Sequence, residues 1–299
     1  MSLADLGCFE LKRSADLAAL CELLAERHAR GRATVMLAGG TDWMVEQEMA
    51  PPRGADAERP LVVDVSRLDE LRGISLVGDT LRIGAATTYL EIERDPAVKR
   101  RAPMLVAMGR DVGAVQIQAR GTLGGNLATA SSAADGVTAL AAYDASVVVR
   151  SVRGERTIPF ASLQTGYKKS TRAGDEVIVA VELALPPEGS PWAWRKVGTR
   201  RAQAISKVAF AAVAVLDGTR VTRVGFGMAS VAPVTATLPS VRALLASRPV
   251  PAVDAAALDA AVDADVTPID DIRSTATYRR HVAKALVRGF VASLVSPAP

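Results

Sequence analysis

The 299 residues exceed the usual size of one domain and predict two, each able to bury its own core. Apolar residues make up 49% of the chain, and 36 basic residues against 32 acidic ones leave a net charge of only +4. Basic residues are scattered and aromatics reach just 4%, which excludes the charge blocks and stacking faces of a nucleic-acid binder. The two cysteines, Cys8 and Cys21, are too few for an iron–sulfur cluster held by this chain alone. The two histidines, His28 and His281, argue against a zinc site.

The N-terminus carries no charged-then-apolar leader and no apolar run reaches the ~18 residues of a membrane span, so a soluble cytoplasmic protein is expected. By count the cysteines could form one disulfide. In a reducing cytoplasm two buried free thiols are the expectation. Along the chain, Ser14 to Arg30 reads as an amphipathic helix with Ser14 as its cap and Gly31 as its stop, and Thr34 to Leu37 as a buried strand. Met49 to Pro60 is a surface connection and Leu61 to Val65 a short strand. Ile74 to Val77 and Leu81 to Gly84 form a hairpin around Gly78-Asp79-Thr80, and Thr88 with Glu91 has the spacing of a capping box. Pro103 to Gly109 is helical, and Ser146 to Arg150 with Arg156 to Pro159 turn back at Arg153-Gly154. Glu176 to Leu185 alternates as a strand. Pro186-Pro187, followed by Gly189 and Pro191, marks the domain boundary. Beyond it, Lys207 to Leu216 and Arg220 to Met228 form a hairpin through Asp217-Gly218. Helices are predicted at Leu238 to Ser247, Val253 to Val262 and Thr277 to Leu294. Strands followed by helices, without βαβ alternation, indicate an α+β half. The acidic pairs Asp270-Asp271 and Asp263 with Asp265 are read as helix-start or loop charges. The last helix, with Arg279, Arg280, Lys284 and Arg288, is read as a docking face for a partner.

Two segments carry the chemistry. Ala38-Gly39-Gly40-Thr41-Asp42 and Arg120-Gly121-Thr122-Leu123-Gly124-Gly125-Asn126-Leu127-Ala128-Thr129-Ala130-Ser131 are both glycine-rich and flanked by hydroxyls. Glycine lets backbone N–H groups curl around an anion, and Thr and Ser add donors without a competing charge. Each loop alone suits a simple tight turn. The pair suggests one shared diphosphate, and a valine at Gly124 is expected to occupy the space that diphosphate needs.

These loops, together with Gln116-Ile117, Asp135, Gly166-Tyr167-Lys168-Lys169-Ser170, Arg195 to Arg201, Ala204 to Val208 and Thr277 to His281, resemble the FAD-binding medium subunit of the molybdenum hydroxylases, the group of xanthine dehydrogenase and carbon monoxide dehydrogenase. The resemblance spans nearly the whole chain. It implies an α+β fold: a two-subdomain FAD-binding domain of the PCMH/VAO type over 1–186, divided near 58/59, followed by a carbon monoxide dehydrogenase flavoprotein C-terminal domain over 190–299. It places Ala38, Gly39, Gly40, Thr41 and Asp42 on one side of the FAD diphosphate. Thr122, Gly124, Gly125, Asn126, Ala128 and Thr129 fall on the other. Asp135 would bind cofactor hydroxyls, while Ile178 and Lys196 would lie near the flavin ring system. Two bland readings stay open: Asp135 as a helix cap and Lys196 as a solvated strand-end cation.

The chain departs from the family pattern at Gln118 and Ala119, which replace Arg and Asn, at Ser132, which replaces Pro, and at Val112, where an aromatic is common. The implied role is electron transfer: from [2Fe–2S] clusters of a small subunit through FAD to NAD or another acceptor. A large molybdenum–pterin subunit would hydroxylate an N-heterocycle, purine or aldehyde. No catalytic acid–base pair and no metal ligand is nominated in this chain. Alternative readings are a free-standing FAD-dependent reductase on the same fold and a scaffold subunit without flavin.

Overall fold

The computed structural model describes residues 6–51 and 59–295. Three short parallel strands, Glu10–Arg13 (β1), Thr34–Leu37 (β2) and Leu61–Asp64 (β3), form the first sheet in the order β1-β3-β2. The connection read at Met49 to Pro60 lies mostly outside the described residues, as does the 58/59 division. The strand just after it, β3, is the middle strand of this first sheet. Leu17–Ala29 (α1) buries Leu17, Leu20, Cys21 and Leu24 against β3 and against Val148, Val177 and Val179 of the second sheet. Its cap is Asp16, whose carboxylate accepts the Ala19 N–H at 2.8 Å, and Ser14 instead donates to the Asp16 carbonyl. A carboxylate one residue before the helix wins the terminal donor over a hydroxyl two residues further back. Cys21 is a buried free thiol, and Cys8 is half-buried. Trp43–Met49 (α2) buries none of its side chains and leaves β2 through the first glycine loop.

The second sheet is antiparallel, from Ile74–Val77 (β4), Thr80–Gly84 (β5), Ser146–Ser151 (β6), Gly154–Pro159 (β7) and Val177–Ala184 (β10), ordered β4-β5-β10-β6-β7. Gln164–Gly166 (β8) and Lys169–Ser170 (β9) make a separate small hairpin. Between β5 and β6 the chain makes six short helices: Tyr89–Arg94 (α3), Pro96–Arg101 (α4), Pro103–Arg110 (α5), Val115–Gln118 (α6), Leu123–Thr129 (α7) and Asp135–Ala142 (α8). The capping box at Thr88 is formed as read. The second glycine segment, read as a loop, is the first turns of α7, with Thr122 as its cap.

The third sheet is an antiparallel meander of Trp192–Val197 (β11), Val208–Asp217 (β12) and Arg220–Ala229 (β13). Pro239–Ser247 (α9), Ala255–Asp265 (α10) and Ala276–Val295 (α11) cover one face of it. The other face lies on α8, every residue of which except Asp135 is buried. Gly225 and Gly227 make this approach possible: a Cβ on either would lie 1.9 Å from the carbonyl oxygen of Ala142 or Thr138.

The docking face read on α11 is used internally. Arg279 is buried and pairs with Asp271, Arg280 and Lys284 pair with Asp263, and Arg288 pairs with Asp259. The helix instead buries Ala283, Val287, Phe290 and Val291 in the C-terminal core. Asp265 accepts the Ser240 and Val241 N–H groups at the start of α9, and Asp270 accepts that of Ala276 at the start of α11. These acids are helix-start charges, as expected.

Three carboxylates make the fold acid-sensitive. The Arg153 guanidinium holds Asp175 below the usual carboxylate range, Arg156 does the same for Glu176, and Arg273 with Arg279 does so for Asp271. An acid whose folded pKa is lowered adds stability that is complete above its unfolded value and is lost as pH falls through the folded one. With ordinary values of 3.8 and 4.5, these three acids should make the thermal midpoint fall steadily as pH drops below about 4. A scan of melting temperature against pH checks this, and Arg156→Gln should shift the onset of the fall.

Candidate functional site

The two glycine segments, about eighty positions apart in the chain, touch. β2, expected to be buried, is the half-buried edge strand of the first sheet, and it delivers Gly39 directly onto α6–α7, where a Cβ on Gly39 would sit 1.9 Å from the Arg120 carbonyl oxygen. Gly40 has φ +76°, a left-handed conformation that suits glycine. The Thr129 hydroxyl donates to Asp42 at 2.8 Å and ties the far end of α7 to the first loop. Facing them, Lys168 in the β8–β9 turn pairs with Glu46 of α2 at 2.9 Å.

A cleft of about 270 Å³ opens between the segments, lined by Ala38 to Trp43, Tyr89, Val112, Thr122, Gly125, Asn126, Ala128 and Thr129. It continues into a smaller apolar recess bounded by Met36, Ala85, Gly124 and Ile178. The two loops contribute differently. The N–H groups of Gly39, Gly40, Thr41 and Asp42 make no hydrogen bond among the described residues. In contrast, the N–H groups at the start of α7 are used: Leu123 donates to Thr87, Gly124 to Ala85, Gly125 to the Thr122 hydroxyl and Asn126 to the Thr122 carbonyl. The first segment is therefore an open main-chain cradle, and the second presents side chains.

This corrects the reason given for Gly124. A Cβ there would lie 2.5 Å from Ala85 Cβ and 2.6 Å from its carbonyl oxygen, so glycine is needed for α7 to pack on the end of β5, not to clear room for a ligand.

Ile178 and Lys196, expected together near one ring system, are in different surroundings. Ile178 is buried on the wall of the apolar recess. Lys196 lines neither cavity. It donates to the Asp111 carbonyl at 2.8 Å and to Asp135 at 2.5 Å, with its side chain only 10% exposed. It is not a solvated strand-end cation. Nor does Asp135 act as a cap: Ala134 holds that position, and the Asp135 carboxylate takes Lys196 and the Ser206 hydroxyl. Burial pushes the Asp135 carboxyl up, with Lys196 pulling the other way. This buried pair joins α8 to the third sheet, just behind Asn126, whose side-chain amide oxygen accepts the Val137 N–H.

The departures from the family pattern also find places. Gln118 is buried and donates to the Arg110 carbonyl at 3.1 Å, closing the turn between α5 and α6. Ala119 is exposed outside the cleft, and Val112 is half-buried on its wall.

Sequence reading missed Tyr89. Its ring lines the cleft, and its hydroxyl is buried with no hydrogen-bond partner among the described residues. Burial, with Asp135 and Asp42 nearby, raises its pKa far above the ordinary value, so it stays a neutral donor. The signal was present in Thr88, whose capping box fixes the start of α3 and with it the inward turn of the next residue.

An unpaired main-chain cradle, a hydroxyl-bearing opposite wall and an adjoining apolar recess suit a dinucleotide with a diphosphate centre. Among the described residues, no group of three or more His, Cys, Asp or Glu is placed to hold a metal ion. No helix there is long and apolar enough to cross a membrane.

Comparison with known proteins agrees in sequence and in fold. Residues 7–186 match the model of the FAD binding domain in molybdopterin dehydrogenase, and residues 193–294 that of the CO dehydrogenase flavoprotein C-terminal domain. The chain is 31% identical over 290 residues to the xanthine dehydrogenase FAD-binding subunit of Escherichia coli, covering 96% of each. It is 28% identical over 256 residues to the carbon monoxide dehydrogenase medium chain of Hydrogenophaga pseudoflava, covering 85% of this chain and 86% of that one. A carbon monoxide dehydrogenase structure from the same organism superposes with a TM-score of 0.86 at 24% identity, over 97% of this chain and 98% of the other, which establishes the shared fold. The chain thus belongs to the family of FAD-binding subunits of the molybdenum hydroxylases, an FAD-binding domain followed by a CO dehydrogenase flavoprotein C-terminal domain.

Proposed function

We propose that the cleft holds FAD with its diphosphate between the Gly39–Asp42 cradle and the Thr122–Asn126 turn. The observation that carries this reading is the run of four unpaired N–H groups at the point where the two segments touch. Ala38, Gly39, Gly40, Thr41 and Asp42 form one wall. Thr122, Gly125, Asn126, Ala128 and Thr129 form the other, and Gly124 keeps that wall against β5. The Thr122 hydroxyl already accepts from Gly125, so its own proton is available to a phosphate oxygen. The Tyr89 ring adds contact surface beside them. Val112 and Ile178 supply apolar contact, and the Asp135–Lys196 pair holds the wall behind Asn126.

Bound there, FAD supplies the redox chemistry, and the chain's own groups supply grip, orientation and exclusion of water. The proposed role is to pass electrons from the [2Fe–2S] clusters of a small subunit to NAD or another acceptor. A large molybdopterin subunit in the same cytoplasmic assembly would hydroxylate an N-heterocycle, purine or aldehyde.

Purifying the full chain tests this. It should be yellow, release about one FAD per chain on denaturation, and bleach with NADH if NAD is the acceptor. A colourless chain that fails to take up added FAD would refute the reading, and FAD bound without any response to NADH would assign another acceptor.

A further inference from the structure

A second concavity lies beside the cleft, on the other side of the contact between the two glycine segments. The wall dividing them is main chain: Thr88 pairs with Thr122 in an antiparallel bridge, Tyr89 N donates to Gly121 O at 3.1 Å, and Gly39 abuts Arg120. This recess, about 350 Å³, is lined by Arg67, Arg72, Arg94 and Arg120 together with Ser66 and Thr88, and it shares Ala38, Gly39 and Thr122 with the cleft, touching them from the other side. One carboxylate, Glu91, also lines it, and it is already used. Glu91 accepts from Arg72 at 2.5 Å and from both the N–H and the hydroxyl of Thr88. Arg67, Arg94 and Arg120 form no ion pair among the described residues.

Exposed arginines that line one hollow give it a positive field that favours an anion. Planar guanidinium forks match phosphate oxygens, and several together match a charge of two or more. The volume is larger than a bare oxyanion needs and falls within the range of small-molecule sites, so the anion has a body attached. Ala119, standing where the family pattern has a longer amide, also lines the hollow.

We propose that this recess binds the phosphate groups of a second nucleotide, distinct from the FAD in the cleft. The inference rests on the FAD reading only in treating the cleft as already filled.

The test is calorimetric titration of the FAD-loaded full chain at low salt with inorganic pyrophosphate, with ADP and with sulfate. ADP should bind one per chain and at least about tenfold more tightly than pyrophosphate. The triple variant Arg67→Gln, Arg94→Gln, Arg120→Gln should weaken ADP binding at least about tenfold while keeping its flavin absorbance. Three results would overturn the proposal: no ADP binding by the FAD-loaded chain, ADP binding unchanged in the variant, or ADP no tighter than pyrophosphate or sulfate. Loss of FAD from the variant would also overturn it, by assigning the arginines to the flavin site. Failure of the FAD reading itself is seen separately, as a colourless wild-type chain.

Discussion

A chain carrying Gly39→Val should fold yet purify without its flavin. The added Cβ would meet the Arg120 carbonyl oxygen at 1.9 Å and its carbon at 2.6 Å, and neither is the end of a flexible side chain that could swing aside. The two glycine segments must separate by more than an ångström, an overpacking cost of about 1–3 kcal/mol. That displacement also misaligns the main-chain donors, and hydrogen bonds to a charged group are worth about 1.5–3 kcal/mol each. Losing two of them lowers FAD affinity by about 100-fold or more. Flavin absorbance per chain measures it. Gly154→Ala is the control, because its added Cβ meets nothing within 4 Å in an exposed turn, although φ is +104° there. That variant should lose some stability and keep its flavin. Full FAD content in Gly39→Val would show that the contact between the segments does not shape the binding site.

The second large effect is on stability. Arg279 is 1% exposed, donates to the Ser230 carbonyl at 2.8 Å and pairs with Asp271 at 2.5 Å. Arg279→Met would leave a buried carbonyl unanswered and strip one of two cations from Asp271. Breaking a buried ion pair from one side costs about 3–5 kcal/mol, and because Arg273 remains on Asp271 the lower end applies. For a protein of this size that lowers the melting temperature by about 6–12 °C. Differential scanning calorimetry checks it, and a change under about 1 °C would mean that Arg279 adds little to the fold. The C-terminal helix is thus a structural element, and removing it before Thr277 should unfold the third sheet's core instead of only weakening assembly.

Much of the fold could be read because its signals are local. The capping box at Thr88, the Asp217-Gly218 hairpin and the strand over Glu176 to Leu185 each depend on residues a few positions apart. Helix α8 was not legible. Its Ala-rich, almost wholly buried stretch lacks a polar face, so no 3.6-residue period marks it, and its alanines pass for compositional bias. The basic residues of α11 misled for a related reason: a charged stripe looks solvated until the acids of α10 and the Asp271 turn are brought against it. At the candidate site, the glycine pairs marked two segments that the fold brings into contact, but their division of labour depends on which N–H groups the rest of the fold consumes. Ala85 and Thr87 take those of α7, and no local pattern announces that.

The two bare positions in β13 bear on how the molecule can be taken apart. Because Gly225 and Gly227 let a strand of one half lie flush on a helix of the other, cutting the chain near Pro187 would strip the cover from α8 and leave a greasy rod facing water. Chimeras that exchange C-terminal halves between relatives therefore need to carry this helix and this strand as a matched set.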